Sequence, residues 1–389
     1  MKIFTFDTEN TTHLKGNPFS RCNKCCVISY KVNADPTVVI KWEYDEPITG
    51  AKLALIQRLI DKCDLIVGFN LKYDLHWLKR YGIKFDHKRL FCCQVTQFVI
   101  RNQQERYPSL DSSCEFWSLG KKLDIIEREY WDKGINTDQI PWEPLSEYAR
   151  QDVDLTYSLY LKQEEYLRNN PQKRTLISLL QQDLLVLQEM EWNGLIFDTT
   201  EANKRVEILT KELDSIYAAI KGTIGQHPIN FNSPDHVSAI LYGGTIEFVD
   251  KQPYEHTYKS GKKAGLTEVR YHHIKHSITF PELVKPLEKS ELAKGKVWST
   301  SADTLVRLKA KGAARTIIKG LLRIAELEQL RSMYYVGWPE KIKEADWPEN
   351  EVHSQLNQCV AITGRLSSSG PNQQNVPGAV YELIETRFT

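Results

Sequence analysis

Short apolar stretches alternate with polar segments along the first 165 residues or so. KIFTFDTE, CCVISYKV, TVVIKWEY and DLIVGF are rich in β-branched and aromatic residues and are typical of strands. GAKLALIQRLIDKC and KYDLHWLKRYG instead carry apolar residues at helical spacing, and a longer helix is predicted over PLSEYARQDVDLTYSLYLKQEEYLRN, just before Pro171. This alternation predicts an α/β domain over residues 1–170.

After Pro171 the pattern changes to long amphipathic helices. Three are predicted, over KRTLISLLQQDLLVLQEMEWNG, DTTEANKRVEILTKELDSIYAAIKG and ARTIIKGLLRIAELEQLRSMYY. The stretch from about residue 249 to 298 is rich in Gly, Lys and His, and we expect an exposed hairpin or a mobile loop there. The sequence therefore predicts a helical region at 171–340 and a smaller region of strands and loops at 341–389.

Length and composition indicate a multidomain globular protein. The 389 residues are 41% hydrophobic and 26% charged, and domains commonly take about 100–200 residues each. No apolar run reaches the roughly 18 residues that a membrane span needs. The chain begins MKIFTF, too short an apolar run for a signal peptide, so an intracellular, cytoplasmic location is expected.

The cysteines allow two interpretations. Eight are present, a number that suits a reducing compartment without a disulfide framework. Cys22, Cys25 and Cys26 form a CxxCC cluster and Cys92–Cys93 a second pair, so a zinc site is one interpretation. No matching CxxC and no His at finger spacing accompanies them. Packing in strand cores is the favoured interpretation.

Positive charge is concentrated in one stretch, although the formal net charge is only +1. Residues 1–160 carry 22 Lys and Arg against 22 Asp and Glu, whereas residues 251–323 carry 16 against 6. A solvated face is one explanation of such a block. An excess this large in a short stretch favours contact with a polyanion.

Acidic residues follow two of the predicted strands. Asp7 and Glu9 stand two apart in FDTEN, so their side chains point to the same face of a strand. In GFNLKYD, Asn70 lies at a strand-to-helix turn and Asp74 in the helix that follows. Taken singly, these are a chance D-x-E triplet, a helix N-cap and a surface charge.

A third acidic motif lies in the last helix of the α/β region. Tyr148 and Asp152, in YARQDVD, stand four apart and share one helix face. Four carboxylates meeting in one pocket would repel each other unless cations lay between them. Mg²⁺ and Mn²⁺ prefer such oxygen ligands, and two such ions stabilise the attacking and leaving oxygens of a phosphoryl displacement. The combined motifs predict two-metal phosphodiester hydrolysis.

FDTEN, NLKYD and YARQDVD resemble the three motifs of the DEDD exonucleases of the tyrosine subtype, which proofread in family A DNA polymerases. The resemblance implies a ribonuclease H-like fold, with a mixed sheet and flanking helices. It implies that Asp7, Glu9 and Asp152 bind one metal ion, that Asp7 and Asp74 support a second, and that Tyr148 orients the attacking water.

The second half resembles the same polymerases, especially phage-type ones. MEWNGLIFD is similar to the beginning of the thumb, and INFNSPDHVSAIL, STSADTLVRL and LEQLRSMYY follow in the family's order. TGRLSSSGPNQQNVP resembles the segment that lines the primer–template duplex. By this resemblance Arg365 reaches the minor groove, and Asn372, Gln374 and Asn375 line the duplex. Gln373 stands where the family usually has Leu.

These motifs predict a metal-dependent 3′–5′ DNA exonuclease at 1–170, a thumb-like region at 171–340 with a basic insertion, and the N-terminal edge of a palm at 341–389. The expected partners are a single-stranded 3′ end, which Asn70 would contact, and a primer–template duplex. For a protein of phage origin the compartment would be the host cytoplasm.

Two further expectations concern what the chain does alone. No Asp-Tyr-Ser palm motif stands in the sequence, so nucleotide addition is expected only with a second polypeptide that carries palm and fingers and pairs with the last strands. The alternatives are a stand-alone DEDD exoribonuclease, like the ribonuclease D group, and a non-catalytic DNA-gripping subunit.

Overall fold

The computed structural model describes residues 1–263, 265–288 and 297–385. The chain divides into two compact units: Met1–Glu201 with Gly337–Thr389, and Ala202–Val336. The two units are defined by packing. They do not test the boundaries between the exonuclease, thumb-like and palm regions, which stay predicted at residues 170 and 340. No helix of the described residues is long and apolar enough to cross a membrane.

A five-stranded mixed sheet forms the centre of the first unit. Its strands are β1 (Ile3–Asn10), β2 (Cys25–Val32), β3 (Val38–Lys41), β4 (Leu65–Gly68) and β5 (Arg89–Cys92). They lie in the order β3-β2-β1-β4-β5. β1 runs antiparallel to β2 and parallel to β4. The predicted mixed sheet is confirmed, and its central strand is the one that carries Asp7 and Glu9.

Helices pack on both faces of this sheet. They are α1 (Gly50–Asp61), α2 (Leu71–Arg80), α3 (Cys93–Ile100), α4 (Leu110–Phe116), α5 (Ile125–Glu129), α6 (Trp142–Arg168) and α7 (Pro171–Asn193). On one face, Phe4 and Phe6 pack with side chains of α1 and α2. On the other, Ile3 and Val67 pack with side chains of α6. The carboxylates predicted for the site therefore come from elements that pack in the core.

All the cysteines except Cys22, which is exposed, are buried, as the favoured interpretation predicts for Cys25 and Cys26. Cys25, Cys26, Cys92 and Cys93 are buried, and all the cysteines of the described residues are unbridged. Burial raises the pKa of the Cys25 thiol well above its usual range, which does not favour thiolate ligands to zinc.

The second unit is helical with one long hairpin. After β6 (Leu195–Phe197) of the first unit come α8 (Thr199–Ile224), α9 (Pro234–Tyr242), β7 (Gly243–Thr257), β8 (Thr267–Glu282), α10 (Ala302–Arg307) and α11 (Gly312–Gln329). β7 and β8 pair antiparallel from Gly244–Phe280 to Thr257–Thr267. Most of their residues are exposed, so this part of the predicted insertion is an exposed hairpin.

The remaining elements return to the first unit. They are α12 (Gly337–Glu344), β9 (Glu351–Val352), β10 (Gln355–Asn357), β11 (Ser367–Ser369), α13 (Gly378–Tyr381) and β12 (Ile384–Glu385). β6 pairs with both β9 and β12, and β10 pairs with β11. The expectation that the last strands find their sheet partners in a second polypeptide does not hold for β9 and β12, because β6, more than 150 residues earlier, pairs with both.

Glu191 of the MEWNG motif holds this segment to α2. The buried carboxylate accepts a hydrogen bond from the Leu356 N–H, forms an ion pair with Lys72 and lies 2.7 Å from His76 Nε2. Although burial opposes it, contact with His76 and Lys72 holds the pKa of Glu191 below its usual value. Gly194 has φ +59°, and a Cβ there would lie 2.7 Å from the Val352 carbonyl oxygen. The motif therefore requires both its Glu and its Gly.

Candidate functional site

Three of the predicted carboxylates meet above the centre of the sheet. Asp7 and Glu9 project from one face of β1, and Asp152 comes from α6, which packs against β1 and β2. One ligand oxygen from each residue lies within 4.8 Å of the other two. Glu9 and Asp152 are buried, and Asp7 is partly exposed. The predicted convergence of these three acids is therefore found in the fold.

The fourth carboxylate, Asp74, lies beside this group and is held by a neighbour of the other acids. Asp74 is buried on α2, and its Oδ1 accepts a hydrogen bond of 2.6 Å from Thr8 Oγ1. Asn10 Nδ2 in turn donates to Thr8 Oγ1 over 3.0 Å. Thr8 points to the opposite face of β1 from Asp7 and Glu9, so one strand contributes to both sides of the site.

A cleft of about 530 Å³ opens onto the carboxylates. It is lined by all five predicted exonuclease residues and by Asn70, Phe69, Trp131, Lys15 and Lys122. Asn70 is exposed, has a left-handed backbone (φ 52°), and makes no side-chain cap hydrogen bond to α2. Asn70 thus stands at the N-cap position of α2 but, within the described residues, does not cap the helix through its side chain, which is available to the cleft.

Burial and mutual repulsion raise the pKa values of the carboxylates when no cation is bound. Burial, followed by the charge of Asp152, raises the pKa of Asp7 to about 7. Burial and the charge of Asp7 raise the pKa values of Glu9 and Asp74 well above the usual range. Asp152 Oδ1 is buried and accepts no hydrogen bond from the described residues. An all-oxygen donor set with an unpartnered buried oxygen fits a hard divalent cation.

Sequence reasoning missed Lys122, which lies within the acidic cluster. Its ammonium forms an ion pair with Asp152 Oδ2 and lies 4.4 Å from the centroid of the Tyr148 ring. Burial opposes the charged form, but Asp152 and Glu9 outweigh it and raise the pKa of Lys122. Lys122 follows α4 in a loop that matches none of the three motifs, so nothing in the spacing of the acids indicates it.

Tyr148 occupies the position predicted for it. It lies one turn before Asp152 on α6, is buried, and packs edge-on against Trp131 with ring centroids 5.7 Å apart. Burial and the charge of Glu9 raise the pKa of Tyr148 far above its usual value, so the phenol stays protonated at neutral pH.

The predicted duplex residues stand together on the surface of the segment after β10. Arg365, Asn372, Gln374 and Asn375 are exposed. Gln374 closes the loop: its Nε2 donates to the Leu366 carbonyl oxygen and its Oε1 accepts from the Ser368 N–H. The backbone N–H of Gln373 donates to Ser368 Oγ, an interaction that any residue in place of the family's Leu would keep. Their contact with DNA stays a prediction.

Thr8→Val is expected to weaken Mn²⁺ binding and 3′–5′ cleavage by about 10–100-fold, the usual cost of losing an outer-shell partner of a ligand. Valine keeps the shape but removes the hydroxyl that positions Asp74. Isothermal titration with Mn²⁺, together with cleavage rates, checks this. Thr5→Val is the matched control, because Thr5 is buried on the same strand with an unpartnered hydroxyl. Equal affinity in Thr8→Val and wild type would contradict the role given to Thr8.

Comparisons with known proteins indicate the family that this chain resembles. Residues 1–168 match the family model described as 3′-5′ exonuclease, and residues 276–388 match that described as DNA polymerase family A. Over 313 residues the chain is 26% identical to DNA polymerase I of Synechocystis sp., covering 79% of this chain and 26% of that protein. Over 241 residues it is 28% identical to DNA polymerase I of Bacillus caldotenax, covering 61% and 22%.

The fold is also found in a solved structure, the POL domain of Pol1 from M. smegmatis in complex with DNA primer-template and dNTP. It aligns with a TM-score of 0.66 at 16% identity, covering 96% of this chain and 52% of that one. The chain spans about a quarter of the length of the two bacterial polymerases. The phage-type subgroup stays a prediction. Two family models, matched in the expected order, support the assignment of this chain to an N-terminal part of a family A DNA polymerase, with the 3′–5′ exonuclease domain first.

Proposed function

We propose that the first domain is a metal-dependent exonuclease that removes nucleotides from the 3′ end of DNA, as a proofreading activity. The observation that carries the proposal is the convergence of Asp7, Glu9 and Asp152 within 4.8 Å, with a buried oxygen of Asp152 that no described residue contacts by a hydrogen bond. Without cations, the carboxylates of such a site repel one another and are costly to ionise at neutral pH.

The residues divide the work in the following way. Asp7, Glu9 and Asp152 would hold one Mg²⁺ or Mn²⁺, and Asp74, fixed by Thr8, would support a second together with Asp7. When bound, the ions stabilise charge on the reacting phosphate and favour ionisation of the attacking water. The side chains of the protein bind the DNA 3′ end and orient it. The neutral Tyr148 hydroxyl holds the attacking water at the edge of the cleft.

DNA is the proposed substrate on the strength of the second half of the chain. Asn70 would contact the 3′-terminal nucleotides in the cleft, and Arg365, Asn372, Gln374 and Asn375 would contact the primer–template duplex. The match to DNA polymerases beyond residue 168 makes the exoribonuclease alternative less favourable, and the complete carboxylate set disfavours a non-catalytic subunit. The second polypeptide with palm and fingers is tested by none of these findings and stays a prediction.

The test uses a single-stranded DNA oligonucleotide labelled at its 5′ end. In Mg²⁺ the purified chain is expected to shorten it from the 3′ end, and to act more slowly on the same sequence as a duplex, because the 3′ end must enter the cleft. EDTA should stop the reaction. Equal or faster degradation of an RNA oligonucleotide of the same sequence would favour the ribonuclease alternative, and an absence of cleavage in both Mg²⁺ and Mn²⁺ would overturn the proposal.

The positively charged stretch at residues 251–323 is expected to add salt-dependent affinity for DNA. Lys259, Lys262 and Lys263 lie exposed in the loop that joins β7 to β8. If these lysines bind phosphates, replacing them by Gln should flatten the log–log dependence of DNA binding on salt by about 0.7–0.9 for every phosphate that is no longer bound. Fluorescence anisotropy at several salt concentrations measures the slope.

A matched triple change in the first unit controls for net charge. Lys62, Lys84 and Lys133 are exposed, and their replacement by Gln should leave the slope nearly unaltered. If replacement of Lys259, Lys262 and Lys263 leaves the salt dependence of DNA binding at the wild-type slope, these hairpin lysines are only a solvated surface.

A further inference from the structure

Lys122 is held in the acidic site by its backbone as well as by its charge. The Lys122 N–H donates to Asp111 Oδ1 over 2.8 Å, and the Leu123 N–H donates to Gln151 Oε1 over 2.6 Å. Gln151 Nε2 also donates to the Lys121 carbonyl oxygen. Because Gln151 precedes Asp152 on α6, the loop that carries Lys122 is attached to the helix that carries its ion-pair partner.

The ammonium of Lys122 takes an oxygen that a metal ion would use. It contacts Oδ2 of Asp152, while Oδ1 has no hydrogen-bond partner among the residues that the structure describes, and its charge also acts on Glu9 and Asp7. A cation bound by these three acids would share Asp152 with the lysine. Without a metal ion, Lys122 offsets part of the repulsion among the carboxylates. With one, it is a like charge at short range and opposes binding.

Lys122 also faces the cleft where the substrate would enter. Its side chain is 27% exposed and lines the same cleft as Asn70 and Tyr148. A phosphate of the DNA 3′ end in this cleft offers the ammonium a second anionic partner. Lysine binds phosphate well as a compact point charge on a flexible stem.

We propose that Lys122 releases Asp152 and binds a phosphate oxygen when the 3′ end of DNA enters the cleft, so that substrate and metal ion strengthen each other's binding. This inference rests on the proposed exonuclease function. By thermodynamic linkage the effect is reciprocal: whatever factor the nucleotide adds to metal affinity, the metal adds to nucleotide affinity. Asp152 is then freed for the metal ion when the DNA 3′ end occupies the cleft.

The experiment measures Mn²⁺ affinity of the full chain by isothermal titration, with and without saturating thymidine 5′-monophosphate. Lys122→Met should bind Mn²⁺ at least about fivefold more tightly than wild type without nucleotide, which is the lower end of typical couplings. The nucleotide should tighten Mn²⁺ binding to wild type, and several-fold less to Lys122→Met. Lys122→Arg keeps the charge and should behave as wild type does.

Lys121→Met is the matched control. Lys121 precedes Lys122 and has an exposed side chain, so this change removes the same charge without touching the acidic cluster. It should follow wild type with and without nucleotide. Thermal melting in EDTA checks folding, and Lys122→Gln replaces Lys122→Met if the latter does not fold. Two results would overturn the proposed exchange of Lys122 between Asp152 and a phosphate. One is that Lys122→Met or Lys122→Gln binds Mn²⁺ no more tightly than wild type does. The other is that the nucleotide tightens Mn²⁺ binding to the variant as much as to wild type.

The two proposals fail in different ways. If wild type binds no Mn²⁺, or if Asp7→Ala binds it as well as wild type does, the metal site itself is wrong and the inference about Lys122 falls with it. If Mn²⁺ binding needs Asp7 but is indifferent to Lys122, the exonuclease proposal stands and only the exchange is wrong.

Discussion

Replacing Asp7 or Asp152 by alanine is expected to slow 3′ cleavage of single-stranded DNA by at least about 10²–10³-fold, the range for losing one group that stabilises the transition state. Both residues belong to the group of three acids whose oxygens converge, so either change would remove a ligand from the proposed cation. Single-turnover rates in saturating Mg²⁺ measure the effect directly.

Two variants on α6 define the specificity of this loss. Glu147→Ala removes an exposed carboxylate next to Tyr148 and should leave the rate nearly unchanged. Tyr148→Phe removes only the hydroxyl, so the carboxylates still hold their cations and the rate should fall less than in Asp7→Ala. Wild-type activity in Asp7→Ala, with contaminating nuclease excluded by a mock purification, would show that the assigned site is not where cleavage occurs.

The parts of the site that follow strand and helix periodicity could be predicted from the sequence. Alternation along β1 places Asp7 and Glu9 on one face, and the four-residue spacing on α6 brings Tyr148 and Asp152 to one side. These relations are local, so they survive whatever the rest of the chain does. The family motifs then indicate which elements meet, which periodicity alone does not.

Interactions that depend on loops or on distant pairing could not be predicted. Lys122 reaches Asp152 because a loop between α4 and α5 is attached to Asp111 and Gln151, and no spacing rule describes such a loop. β5 and α3 were also missed, because RLFCCQVTQFVI passes from strand to helix without a glycine or proline and reads as one apolar run. The pairing of β9 with β6 joins residues far apart in sequence, so the local pattern contains no sign of it.

The repulsion in the site also predicts a pH-dependent gain of stability on removing one acid. Without divalent metal, Asp7→Asn is expected to be more stable than wild type at pH 8, and the difference should shrink towards pH 4.5. The folded protein raises the pKa of Asp7 from 3.8 to about 7, so the carboxyl is protonated in both states only well below pH 3.8. Between pH 3.8 and about 7 the folded state keeps this proton while the unfolded state has lost it, so wild-type stability falls as the pH rises through this window and levels off above it.

The gain should be on the order of a few kcal/mol at pH 8, since each unit of pKa difference is worth about 1.4 kcal/mol. Urea midpoints in EDTA at pH 4.5 and 8 measure it. Asp86→Asn, at an exposed aspartate, should show almost no difference at either pH. Adding Mn²⁺ at pH 8 should reverse the order, because wild type then gains the free energy of metal binding while the variant has lost a ligand. Equal stability of Asp7→Asn and wild type at both pH values would mean that the carboxylates are not crowded enough to need a cation, and would remove the physical argument for a metal ion at this site.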